Sequence, residues 1–129
     1  MHRDLKLENV LFDSEARTRI KVVDFGIAGL IVEADKNTAA TLKYMTPEMI
    51  IKTTSLASPA MDIWAIGIMT FCMLFYRLPF SGATREETKN LITTAEFQIP
   101  SHRFTVSPEC QQFLVGCLQK NPDDRLTIK

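Results

Sequence analysis

Apolar positions fall into two regimes along this chain. Val10-Leu11-Phe12 and Ile20-Lys21-Val22-Val23 are short apolar runs separated by the polar residues 13–19, a pattern that predicts a β-hairpin. From Gly26 to about Tyr44 the periodicity lapses and small residues cluster at Asn37-Thr38-Ala39-Ala40-Thr41, which predicts a long surface loop of the kind that tends to be functional. Helical signals then take over. Pro47 suits the first turn of a short helix reaching Ile51. Ser58 caps, Pro59 opens and Asp62 charges the first turn of a helix running to about Tyr76, apolar nearly all round and so expected to be buried on most sides. Leu78-Pro79-Phe80-Ser81-Gly82 stops it. A surface helix follows from Thr84 to about Thr94, with Glu86, Glu87 and Lys89 exposed. Another runs from Ser107-Pro108-Glu109 to about Gln119, burying Phe113, Leu114, Cys117 and Leu118. Asn121-Pro122-Asp123-Asp124-Arg125 reads as a turn, and Leu126 as the start of a further helix. The fold expected is mainly α with a small β-hairpin element at its start. Too few strands alternate with helices for a doubly wound sheet.

Composition narrows the function classes. Fifteen basic and fifteen acidic residues cancel, which argues against a nucleic-acid binder held by phosphate neutralisation. At 129 residues, 46% hydrophobic and 23% charged, the chain has the make-up of one globular domain or a piece of one. The three cysteines, Cys72, Cys110 and Cys117, form no CxxC pair and fit a reducing compartment better than a disulfide framework. The longest apolar run, Ile63 to Tyr76, has 14 residues, too few to span a bilayer, and no signal peptide opens the chain. The partners expected are therefore neither nucleic acid nor membrane, and the expected location is cytoplasmic.

Three strings carry chemistry: His2-Arg3-Asp4-Leu5-Lys6-Leu7-Glu8-Asn9, Asp24-Phe25-Gly26, and Tyr44-Met45-Thr46-Pro47-Glu48. With Asp62-Ile63-Trp64-Ala65-Ile66-Gly67, Leu78-Pro79-Phe80 and the 121–125 turn, they make the chain resemble the eukaryotic protein kinases over essentially its whole length. About a dozen fixed residues in the right order do not arise by chance. The lysine two places after Asp4 is similar to the serine/threonine type. The stretch from Leu78 to Pro100 looks most like the calcium/calmodulin-dependent-like and AMP-activated-like branch.

The resemblance implies ATP and Mg²⁺ as cofactors and a protein hydroxyl as acceptor. It implies Asp4 as the group that orients or takes the hydroxyl proton, Lys6 as a point charge on the transferring phosphate, and Asn9 and Asp24 as hard oxygen ligands of Mg²⁺. Arg3 is expected to pair with a phosphate on the activation loop, with Thr38 the nearest acceptor and Thr41 instead a contact of Asp4. Glu48 and Arg125 are expected as a buried ion pair, and Asp62 as an acceptor for the backbone around Arg3. Trp64 reads as core. Thr46 stands where the family usually has alanine, and Ala40 where it usually has glycine. Residues 1–129 read as a partial protein kinase domain: the large, C-terminal lobe from the catalytic loop to the start of the last helix. The small lobe, with its glycine-rich loop and strand lysine, is absent and needed for turnover. The alternative is a non-catalytic kinase-like scaffold, or an incomplete gene model with no activity of its own.

Overall fold

Among the described residues, two three-residue strands and four α-helices order the chain. A computed structural model describes residues 1–24, 42–51, 58–100 and 105–128. The tripeptide remainder Phe25-Gly26, Ala40, Thr38 and Thr41 lie outside the described residues, as does nearly all of the expected long loop.

A 3₁₀ turn at Leu7–Asn9 leads into β1 (Val10–Phe12), which pairs antiparallel with β2 (Ile20–Val22) in the register Val10↔Val22, Leu11↔Lys21, Phe12↔Ile20. The hairpin is held at its loop by the Asp13 N–H to Arg19 C=O bond (3.1 Å) and an Asp13–Arg19 ion pair (3.0 Å). Helix α1 spans Pro47–Ile51, with Thr46 Oγ1 accepting the Met49 N–H at its start. Thr46 is buried, so the hydroxyl does there what the usual alanine lacks the means to do: it satisfies a first-turn N–H.

Helix α2 (Pro59–Phe75) is the spine of the fold. Ser58 Oγ accepts the Ala60 N–H at 3.2 Å, and Pro59 fills the first turn. The helix stops at Tyr76, whose φ of 54° is left-handed and whose N–H closes on Cys72 C=O. Burial follows the expected pattern over Ile63, Trp64, Ile68, Phe71 and Phe75, but Met73 and Tyr76 face solvent near the end. Helix α3 (Arg85–Thr94) opens on a capping box. Thr84 Oγ1 accepts the Glu87 N–H, and Glu87 reaches back to the Thr84 N–H. Helix α4 (Pro108–Cys117), capped by Ser107, ends two residues earlier than the pattern suggests.

Two further expectations are corrected. Phe113 is exposed: Leu114 and Cys117 carry the buried stripe of α4, and Phe113 falls at its edge, about 40° round the helix from Cys117. Leu126 to Ile128 do not begin a helix. The Leu126 N–H is drawn to Gly116 C=O (2.9 Å), so this segment lies along α4 instead.

Helix α1 packs on α3, and α2 on α4 and on the 3₁₀ turn Pro122–Asp124. Two apolar clusters lie along α2. One gathers Leu42, Trp64, Ile68, Phe80, Ile92 and Leu118; the other gathers Phe71, Phe75 and Leu114. An aromatic chain joins them. Trp64 stacks on Phe80 (5.3 Å), Phe80 meets Phe97 edge-on (5.9 Å), and Phe97 meets Phe71 the same way (5.9 Å). Among the described residues no helix is long and apolar enough to cross a membrane.

Candidate active site

Residues 2–9 form a loop whose backbone is gripped by the first turn of α2. Asp62 accepts the His2 N–H through Oδ2 (2.6 Å) and the Arg3 N–H through Oδ1 (2.8 Å). Arg3 has φ 71°, a left-handed conformation that costs a non-glycine residue on the order of 1–2 kcal/mol. Two charge-assisted bonds to one carboxylate offset that cost. His2, itself buried, ties the loop to the strand end. Its Nδ1 accepts the Asp4 N–H (3.3 Å), which assigns the Nε2–H tautomer, and that N–H donates to Val23 C=O (3.0 Å). The Val23 N–H returns to Asn9 C=O (2.9 Å). Asp24, next along, is exposed and also left-handed (φ 66°), so its carboxylate emerges beside the loop.

Asp4 is the hub. Lys6 Nζ lies 2.7 Å from its Oδ2, and Asn9 Nδ2 donates to the same oxygen (3.3 Å) and to the Asp4 C=O (2.9 Å). Both donors act on Oδ2; among the described residues no hydrogen bond engages Oδ1. The Lys6 ammonium is held above its ordinary pKa, first by the hydrogen bond to Asp4, against partial burial, and then by the charges of Asp4, Glu8 and Asp24. Asp24 is therefore within electrostatic reach of the same lysine. The Asn9 amide nitrogen is committed to Asp4, which turns its oxygen away. That oxygen and the exposed Asp24 carboxylate are hard donors, the type Mg²⁺ takes when water and phosphate fill its other positions. Among the described residues no cluster of three or more His, Cys, Asp or Glu side chains is set to hold a metal.

The loop forms one wall of a cavity of about 340 Å³ lined by Asp4, Lys6 and Glu8, with Tyr44, Met45 and Met49 opposite. Arg3 also lines it, its side chain exposed. The opposite wall is anchored from behind. Arg125 grips Glu48 through two bonds, Nη2 to Oε2 (2.6 Å) and Nη1 to Oε1 (2.9 Å). It also donates to the Gln119 and Ala60 carbonyls and lies over the Trp64 ring at 4.9 Å. Trp64 is wholly buried in the core.

Asp4, Lys6 and Asn9 thus come together, with Asp24 within electrostatic reach of Lys6 and Asp62 bonded to the loop backbone. Glu48 and Arg125 stand apart as a support, and Thr38 and Thr41 lie outside the described residues. Two contributors escaped the sequence reading as individuals: His2, the ring that bridges loop and strand, and Tyr44, whose hydroxyl accepts the Leu7 N–H (3.4 Å). Both sat inside the quoted strings, which was the available signal.

A helical scaffold with a small hairpin carries an aspartate–lysine–asparagine cluster beside an open cavity, the arrangement the resemblance implies. The protein kinase domain family matches all of residues 1–129, and the chain belongs to that family. Its relatives are serine/threonine kinases. It is similar to the SNF-related serine/threonine-protein kinase of Homo sapiens, at 34% identity over 131 residues, covering 100% of this chain and 16% of the relative. It is similar to the serine/threonine-protein kinase PLK4 of Drosophila persimilis (35% over 132 residues, 100% of this chain, 16% of the relative). The serine/threonine-protein kinase SRK2C of Arabidopsis thaliana is 34% identical over 134 residues, 99% of this chain and 38% of that relative. The chain therefore spans well under half the length of these relatives.

Proposed function

We propose that this chain is the large-lobe part of an active serine/threonine protein kinase, transferring the γ-phosphoryl group of ATP to a serine or threonine hydroxyl of a protein. The observation that carries this reading is the Asp4 carboxylate. One oxygen is fixed by Lys6 and Asn9, while the other is left, among the described residues, for an incoming hydroxyl at the cavity wall. In that role Asp4 Oδ1 orients the acceptor hydroxyl and receives its proton as the new oxygen–phosphorus bond forms and the bond from the γ-phosphorus to the bridging oxygen of ADP breaks, ADP leaving. Lys6 Nζ, three donors on a compact charge, swings between Asp4 and the transferring phosphate and offsets charge building there. Asn9 and Asp24 would hold Mg²⁺, which supplies neutralisation of the phosphate oxygens when bound. Arg3 is suited to pair with a phosphate on the loop that contains Thr38. Glu48, Arg125 and Asp62 hold the two walls in register. A small lobe covering the nucleotide goes with this reading, as does a cytoplasmic location, where the three free cysteines stay reduced.

The test is Asp4→Asn in the full-length protein. It keeps the shape and the Lys6 and Asn9 contacts but cannot take a proton. Phosphotransfer to a serine- or threonine-containing substrate is expected to fall by about 10²–10⁴-fold, with the thermal midpoint close to wild type. Turnover at the wild-type rate would remove Asp4 from the chemistry.

A further inference from the structure

The peptide unit between Lys6 and Leu7 is held at both ends. Its carbonyl, Lys6 C=O, accepts the Asn9 N–H at 2.9 Å, and its amide, Leu7 N–H, donates to Tyr44 Oη at 3.4 Å. Leu7 opens the 3₁₀ turn Leu7–Asn9, so its N–H is one of the first-turn donors that no bond within the turn can satisfy. The Leu7 side chain is exposed and gives the peptide no anchor of its own. Tyr44 is well placed to supply one. Its ring is half-buried against the cluster of Leu42, Trp64 and Phe80, and its oxygen stands within electrostatic reach of both Lys6 and Glu8. Burial pushes the Tyr44 hydroxyl above its ordinary pKa, so it stays a neutral acceptor through the physiological range.

We propose that Tyr44 is a positioning residue: its hydroxyl fixes the Lys6–Leu7 peptide plane and thereby holds Lys6 and Asn9 on the same oxygen of Asp4. Freed at its amide end, that peptide pivots about the Asn9 bond, and the lysine loses its aim at Asp4 Oδ2. Because Tyr44 also lines the cavity wall opposite Asp4, the latch joins the two walls directly. The catalytic half of this inference rests on the phosphotransfer reading above; the structural half does not.

The experiment is Tyr44→Phe in the full-length protein, which removes one oxygen and leaves the ring packed. Two readouts are taken: kcat and KM for peptide and ATP, and hydrogen exchange of the Leu7 amide. A lost hydrogen bond as long as this one predicts kcat lower by about 2- to 5-fold and Leu7 exchange faster by a similar factor. Both KM values should stay within about twofold and the His2 and Arg3 amides should keep their protection. Unchanged kcat overturns the proposal, and so does a raised peptide KM with kcat intact, which would make the hydroxyl a substrate contact. If the wild type transfers no phosphate to any serine or threonine substrate, the function reading fails instead. Leu7 exchange then decides the latch alone, and an unchanged rate overturns it.

Discussion

Arg125 shows what a single side chain contributes once buried. Its guanidinium has no exposure and spends its donors on Glu48 and on the carbonyls of Gln119, Ala60 and Lys120. Desolvating two charges is costly, and the pair is tolerated because geometry and extra bonds satisfy it. Arg125→Ala leaves the Glu48 carboxylate buried without its partner and should cost roughly 3–5 kcal/mol in urea unfolding. Glu48→Leu with Arg125→Met should cost much less; equal losses for the single and double variants would argue against an unpaired charge as the cause. Cys117 is a second case. Burial alone pushes its thiol up to about 11 from an ordinary 9.0. A raised folded pKa means that the unfolded chain loses its proton first. Stability is therefore fully present below pH 9.0 and declines as pH climbs toward about 11. At pH 8 iodoacetamide should label the half-buried Cys110 well ahead of Cys117, as mass spectrometry of the native protein would show.

At the scale of elements, α2 does two jobs with one residue. Asp62 lies in its first turn, where negative charge is favoured by the helix dipole, and the same carboxylate takes two N–H groups from a loop sixty residues away. The helix thus sets the position of the loop of residues 2–9, and its grip helps hold the left-handed Arg3 backbone. Asp62→Ala should lower stability by about 3 kcal/mol, two charge-assisted bonds less partial rehydration. It should also speed amide exchange at His2 and Arg3 more than anywhere in α3. Protection at those two amides equal to wild type would show that Asp62 is not what holds them.

For the molecule as a whole, the decisive contact is between α2 and α4. A Cβ added at Gly67 would meet Cys117 Cβ at 2.7 Å and Leu118 Cδ2 at 2.9 Å, so the helices approach as closely as they do only because no side chain stands there. Gly67→Ala should therefore lose about 1–3 kcal/mol from overpacking, despite alanine's better helix propensity, in a chemical melt followed by far-UV circular dichroism. A gain in stability would mean that the two helices slide apart at no cost. The aromatic series from Trp64 to Phe71 spans both clusters, so strain at Gly67 is expected to reach the cavity wall through Trp64 and Arg125.

Much was legible from the chain alone because it is written locally. Ser58-Pro59 and Ser107-Pro108 announce helix starts, the polar stretch after Phe12 announces a hairpin, and apolar density marks α2 as buried, since caps, turns and periodicity act over a few residues. The quoted strings also pointed to the family, which the match over residues 1–129 shows. Tertiary structure decided the rest. It set which Asp4 oxygen is engaged by Lys6 and Asn9, which tautomer His2 adopts, and that Phe113 turns outward while Leu126 folds back on Gly116. It also brought Tyr44 from thirty-seven residues away to the Leu7 amide. These depend on distances between segments remote along the chain, and no local pattern encodes such distances until the core packs and brings them together.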